Sequence, residues 1–198
     1  GKIKCLITGK MRKETPEELI PQFSLAREYL TAHNITWYEV EGFEGDDIIG
    51  TLVDFGEKNN LKVSVYTGDK DAFQLISPQT TIYRTVKGVT ELDIYNEQTL
   101  LDKYGLKPDQ IRDFLGLMGD TADNIPGIKG IGEKTALKLL HQYETIEGLE
   151  EHQNELKGKM GEKIRAGMED ALMSKKVATI LRDVPLDVSF DDLLYKEC

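Results

Sequence analysis

The chain has 198 residues, 39% hydrophobic and 30% charged, and 35 acidic against 25 basic side chains give a formal net charge of -10. It contains no run of about 18 apolar residues, which argues against a membrane span, and "KIKCLIT" (2–8) is too short and lacks the cleavage pattern of a secretory signal. Cys5 and Cys198 stand at opposite ends without CxxC spacing, which argues against a disulfide framework or a zinc site and favours a reducing, cytoplasmic setting.

In chain order, "ETPEELIPQFSLAREYLTAHN" (14–34) is expected to open a helix, with Thr15 as N-cap, Pro16 at the first helical position, Glu18 closing a capping box and Pro21 bending the axis. "ITWYEV" (35–40) reads as a strand. "GDDIIGTLVDFGEKNN" (45–60) reads as a helix whose apolar face is Ile48, Ile49, Leu52 and Phe55. "LKVSVYTGD" (61–69) is a strand ending at Gly68, and "TTIYRTVKGVTEL" (80–92) a hairpin around Lys87 and Gly88. This alternation predicts a parallel α/β sheet up to about residue 80. Beyond Asn96 the pattern is almost wholly helical, through "NEQTLLDKYG" (96–105), "KPDQIRDFLGLMG" (107–119), "EKTALKLLHQY" (133–143) and "KIRAGMEDALMSKKVATI" (163–180). "PLDVSFDDLLYKEC" (185–198) reads as a short extended segment.

Seven acids fall in three groups: Glu44, Asp46 and Asp47; Asp69 and Asp71; Asp120 and Asp123. Each lies where a strand ends or a helix begins, and the carboxyl ends of strands in parallel α/β sheets are where ligands bind. Converging, they would form a pocket of hard oxygen ligands suited to Mg²⁺ or Mn²⁺. Singly, each group has a plainer account as a helix cap, an acidic turn or an Asx-turn. The net acidity argues against a nucleic-acid partner only as a sum, because carboxylates gathered around cations repel phosphate less.

The stretch "GLMGDTADNIPGIKGIGEKTA" (116–136) places Gly119, Gly127, Gly130 and Gly132 ahead of a helix start. Glycines at a helix N-terminus allow an anionic ligand to approach the main chain, and Lys129 and Lys134 stand beside them for a duplex phosphate backbone. The alternative is a tight connection between two packed helices. Lys10, Arg12 and Lys13, then Lys157, Lys159, Lys163 and Arg165, would extend a basic track, although the second group reads better as a solvated helix face.

Together, "FEGDDIIGTL" (43–52), "TGDKDAFQL" (67–75) and the glycine stretch resemble the 5'-nuclease domains of bacterial DNA polymerase I, within the flap endonuclease family, over about 12–185. The resemblance implies an α/β fold: a PIN-like parallel sheet flanked by helices, followed by a helical helix-three-turn-helix subdomain. It implies one 5'-nuclease domain, with a metal-binding part at about 12–95, a DNA-binding part at about 96–185, and 186–198 starting a linker to a possible polymerase domain. The implied activity is 5'-3' exonuclease and flap endonuclease cleavage of DNA, using two Mg²⁺ or Mn²⁺ ions. Glu44, Asp46 and Asp47 would serve the first ion, with Asp46 between the two, and Asp69, Asp71, Asp120 and Asp123 the second. Arg12, Lys13, Gly127, Lys129, Gly130, Gly132, Lys134 and Thr135 would meet DNA (a 5' flap, nicked or primer-bearing duplex), with K⁺ held by main-chain carbonyls at 127–136. The protein is expected to be a cytoplasmic monomer.

The family's first strand, with Asp followed by Gly-Asn, and a later strand ending in Phe-Asp have no match upstream of Arg12. The chain is therefore expected to be N-terminally incomplete and, alone, to bind metal and duplex but to cut very slowly or not at all. A non-catalytic duplex-binding module is the alternative reading. A phosphatase-like enzyme using Asp69 covalently ranks last, since it leaves the other acids and the glycines unexplained.

Overall fold

In the computed structural model, which describes residues 5–7, 16–88 and 90–196, the first helix begins where Pro21 permits. Proline has no N–H to bond back into a preceding turn, so it is tolerated only in a helix's first turn. Accordingly α1 spans Ile20–Ala32 with Pro21 in that turn, and the residues before it form a turn closed by the Leu19 N–H on the Pro16 carbonyl (2.8 Å). This corrects the expected start at Pro16. The proposed cap Thr15 lies outside the described residues, as do Lys10, Arg12 and Lys13.

Two units are distinguished, each taken by itself: Gly1–Asn60 with Leu181–Cys198, and Leu61–Ile180. In the first, β1 (Cys5–Ile7) pairs in parallel with β2 (Thr36–Tyr38). Arg27 of α1 bonds Glu39 at 2.9 Å and lies 5.4 Å from the centre of the Trp37 ring. Helix α2 (Gly45–Lys58) buries Ile48 and Val53, which lie about 140° apart around a helix. Ile49, Leu52 and Phe55 are half-buried, so the expected single stripe was too narrow. The C-terminal segment returns to these elements: the Leu181 N–H donates to Asp47 Oδ1 (2.9 Å) and the Val184 N–H to Thr51 Oγ1 (3.0 Å). It is not extended throughout. Ser189 caps a short helix, α8 (Phe190–Leu193), by accepting the Asp192 N–H at 3.2 Å, and two acids in the first turn complement the dipole while Leu193 is buried.

In the second unit β3 (Val63–Thr67) runs parallel to β4 (Thr80–Lys87), which turns through Gly88 into antiparallel β5 (Glu91–Tyr95). The predicted hairpin thus makes the sheet mixed. One face carries the buried row Val65, Ile82 and Tyr95; on the other Tyr66 stacks on Tyr83 with ring centres 4.7 Å apart. Then follow α3 (Glu97–Tyr104), capped by Asn96 and ended by left-handed Gly105, α4 (Ile111–Met118), α5 (Glu133–Tyr143), α6 (Ile146–Glu151) and α7 (Gly158–Ala178). Helices α4 and α7 approach closely at Gly116, where a Cβ would lie 3.0 Å from the Ala171 carbonyl.

Asp113 of α4, buried, accepts both the Ile146 N–H (2.9 Å) and Lys175 Nζ (2.7 Å), and Lys175 also pairs with Glu147 (2.7 Å). Burial pushes the Glu147 carboxyl up, but the Lys175 hydrogen bond, its own backbone N–H and nearby positive charge together hold it below its ordinary value. No helix among the described residues is long and apolar enough to cross a membrane.

Candidate active site

Strand β3 delivers Asp69 at its carboxyl end. The Asp69 N–H donates to Thr67 Oγ1 (3.1 Å), and Asp69 Oδ1 accepts the Asp71 N–H (2.9 Å), capping a 3-10 helix at Lys70–Leu75. One tight turn therefore carries both aspartates. Ala72, Phe73 and Leu75 anchor that turn in the core, and Asp71 is itself buried.

The third acid comes from the loop after α4. Asp120 and Ile125 exchange both main-chain hydrogen bonds (2.9 and 2.8 Å), and Asp120 Oδ1 accepts the Ala122 N–H at 2.7 Å. Gly119 (φ 76°) and Gly127 (φ 59°) close this loop back onto the end of α4: a Cβ on Gly119 would lie 2.7 Å from the Ile125 and Pro126 carbonyl oxygens. The loop is then fastened by the Gly127 N–H on Ser174 Oγ (3.1 Å) and the Ile128 N–H on the Leu117 carbonyl (2.9 Å).

Closing it brings Asp123 to Asp69 and Asp71, with one carboxylate oxygen of each within 4.8 Å of the others. Ligands sharing one ion at about 2.1 Å stand about 3.0 Å apart when adjacent and about 4.2 Å when opposite, so this all-oxygen set fits a hard divalent cation. Helix α7 secures both sides of the cluster. Ser174 holds the Asp123 loop, while the Gln74 side chain, on the Asp71 turn, donates to the Ala178 carbonyl (2.9 Å) and accepts the Ile180 N–H (3.0 Å).

The cluster opens into a cavity of about 580 Å³ that Asp120 also lines, outside the three-oxygen group. Arg84, Tyr104 and Glu133 share its wall, and sequence reasoning passed over all three. Burial raises the Tyr104 phenol above its ordinary value, helped by the neighbouring Tyr95 and opposed by Lys103 and Arg84. Glu44, Asp46 and Asp47 belong to the first unit, where Glu44 is the N-cap of α2, Asp46 and Asp47 lie in its first turn, and Asp47 accepts the Leu181 N–H.

Beyond Gly127 the chain makes one more turn (Ile131 N–H to Ile128 carbonyl, 3.0 Å) and enters α5. Buried Ile128 and Ile131 anchor it, the former against Gly167 of α7, while Lys129, Gly130, Gly132 and Lys134 are exposed and Thr135 is half-buried. The four glycines divide. Gly119 and Gly127 are needed for internal packing; Gly132, the N-cap of α5, has an ordinary φ of -97° and nothing within 4 Å of where a Cβ would stand. No side chain caps α5. Lys163 Nζ lies 3.1 Å from the position of a Cβ on Gly130, so it joins this turn, whereas Arg165 is engaged with the Gln153 and Leu156 carbonyls (2.9 and 2.8 Å).

Two family models match the chain: the 5'-3' exonuclease N-terminal resolvase-like domain over residues 9–105, and the 5'-3' exonuclease C-terminal SAM fold over 106–198. Among curated proteins, the chain is 50% identical over 186 residues to a DNA polymerase I of Bacillus caldotenax and 48% identical over 186 residues to that of Bacillus subtilis, covering 93% of this chain and 21% of each relative. The chain thus spans about a fifth of the length of these relatives. Among solved structures, T5 5'-exonuclease with divalent metal ions (zinc) bound superposes with a TM-score of 0.66 at 19% identity, over 83% of this chain and 62% of that one. The catalytic core of Rad2 in complex with DNA substrate gives 0.60 at 15% identity, over 95% and 68%. These two likenesses bear on the fold.

Proposed function

Since the chain belongs to the 5'-3' exonuclease family through both of its halves, we propose that it is the metal-dependent 5'-nuclease part of a longer DNA polymerase I-like protein, hydrolysing DNA phosphodiesters at 5' flaps, nicks and primer ends. The observation that carries this reading is the mutual approach of the Asp69, Asp71 and Asp123 oxygens at the mouth of a cavity. Asp69, Asp71 and Asp123 would hold one Mg²⁺ or Mn²⁺ ion with Asp120 beside them, and Glu44, Asp46 and Asp47 would serve a second. Such ions, when bound, acidify a water and stabilise the charge that develops on the attacked and departing phosphate oxygens. The aspartates would hold and orient the ions without attacking, and neutralising their charge would let a phosphate enter an acidic cavity.

The exposed turn at Lys129–Lys134 and the uncapped start of α5 would grip the duplex by its phosphates, with Gly130, Gly132, Lys134, Thr135 and Lys163 at the contact and Gly127 holding the turn in place. A K⁺ ion on main-chain carbonyls of this turn, a monomeric state and a cytoplasmic setting belong to the same reading.

The test is single-turnover cleavage of a labelled 5'-flap duplex by the whole protein in Mg²⁺, with and without Asp71→Ala. We expect at least a thousandfold loss in the variant with duplex binding retained. Equal rates, or cleavage persisting in EDTA, would overturn the assignment, and binding without any cleavage by the unaltered protein would favour a non-catalytic duplex-binding module.

A further inference from the structure

Two basic residues line the acidic cavity, Lys70 and Arg84, and Arg84 is the one held in the sheet. Arg84 sits on β4 in the row that faces the core, after Thr80 and Ile82. Its rung of the sheet is shared with Thr67 of β3 and Asp93 of β5. Thr67 is the residue whose hydroxyl receives the Asp69 N–H, so strand pairing fixes the Arg84 backbone directly beside the turn that presents Asp69 and Asp71.

The side chain extends into the cavity wall alongside Asp69, Asp71, Asp120 and Asp123. Among the described residues it forms no ion pair, and Nε is buried with no hydrogen-bond partner. Its rung partner Asp93 faces Lys103 instead, at 4.0 Å. A guanidinium is a fork of donors matched to carboxylate or phosphate, and a buried donor left unbonded costs stability. Five carboxylates line the same wall, Glu133 among them, yet Nε has no acceptor among the described residues.

Resting on the nuclease reading, we infer that Arg84 is a phosphate-contacting residue of the cavity, its guanidinium donating to a non-bridging oxygen of the DNA backbone phosphate held there. Arginine suits this place because it keeps its charge beside acids and bonds two oxygens in one plane. The cations would face the phosphate from the aspartate side and Arg84 from the β4 side.

The probe is a fluorescein-labelled 5'-flap duplex, titrated with the whole protein in Ca²⁺ over a series of salt concentrations. Loss of one phosphate contact lowers the slope of log affinity against log salt by about 1. For Arg84→Gln we expect that drop with an affinity loss of about tenfold, Mn²⁺ binding retained, and the slope kept by Arg84→Lys. An unchanged slope in Arg84→Gln, with the unaltered protein binding duplex normally, sinks this inference and leaves the nuclease reading standing. A slope that falls only together with loss of Mn²⁺ binding, in both variants, also overturns it, because Arg84 would then act on the fold. If the unaltered protein neither binds the duplex nor cuts it in Mg²⁺, the nuclease reading itself has failed.

Discussion

Replacing Gly127 with alanine tests whether close backbone approach is what assembles the acid cluster. At φ 59° an L-residue is strained by about 1 kcal/mol or more. The added Cβ would stand 2.7 Å from the Met118 carbonyl carbon, and nearer still to the Gly119 nitrogen, both of them main-chain atoms that no rotamer change can move. The loop has to open, and the Gly127 N–H then leaves Ser174 Oγ, exposing or orphaning a buried bond at about 1–3 kcal/mol. Together these cost about 3 kcal/mol, or roughly 10 °C in melting temperature for a chain of this size. The functional consequence is larger than the loss of stability, because Asp123 departs with the loop. Thermal unfolding by circular dichroism and Mn²⁺ titration by calorimetry, run below the variant's melting range, should show both the shift and at least a tenfold weaker ion, with Gly132→Ala as the control free of clashes. A Gly127→Ala protein that melts within 2 °C of the original and binds Mn²⁺ equally well would refute the argument (about 0.5–1 kcal/mol at most).

Asp71→Asn should weaken Mn²⁺ binding at least tenfold while leaving the melting temperature unchanged or raised, since it removes one of several like charges; calorimetry paired with a melt decides it. Gly132→Ser supplies the missing cap of α5 and should gain a few tenths of a kcal/mol in urea unfolding, yet weaken duplex binding by fluorescence anisotropy; equal binding would show that nothing approaches Gly132. Lys175→Met leaves the Asp113 charge buried without its partner and should cost about 3–5 kcal/mol in urea unfolding, partly restored by adding Asp113→Asn. Because the folded Glu147 carboxyl lies below its ordinary value of 4.5, its contribution is present above that pH and lost as pH falls through the lower folded value. Unfolding of Lys175→Met measured down through that range should therefore show a shallower acid-side decline.

The elements that could be read from the chain were those with local causes. Asp69 and Asp71 are legible because a β-branched run ends at a glycine and two acids follow, and the turn they form is closed by their own atoms. The hairpin, the Asn96 cap and the Gly105 stop are likewise local. Asp123 was read as a ligand from its place in the glycine stretch, but what delivers it is Ser174, 47 residues away from Gly127 in the chain. For the same reason the glycines were read as one surface for an approaching ligand, when Gly119 and Gly127 are occupied by main chain folding on itself. Arg84 left no signal, since only the pairing of β3 with β4 sets it opposite Thr67. The start of α1 departs from the Thr15–Pro16 signal because Pro21 is confined to a helix's first turn, a constraint that outweighs a local N-terminal motif.

Helix α7 works as a vernier. Gly167 receives Ile128, the Ala171 carbonyl meets Gly116, Ser174 receives Gly127, and the Ala178 carbonyl receives Gln74, all along one flank at intervals of four, three and four residues. The span from Ser174 to Ala178 is about 6 Å of axial rise. That length gauges how far the anchor of the Asp123 loop stands from the anchor of the Asp71 turn. A single residue inserted between Gly167 and Ser174 would preserve the helix and its propensity, yet put everything after it about 100° out of phase. The lower graduation would still engage Ile128 while the upper two faced elsewhere, so the ion site would be mis-spaced by a change that touches none of its ligands.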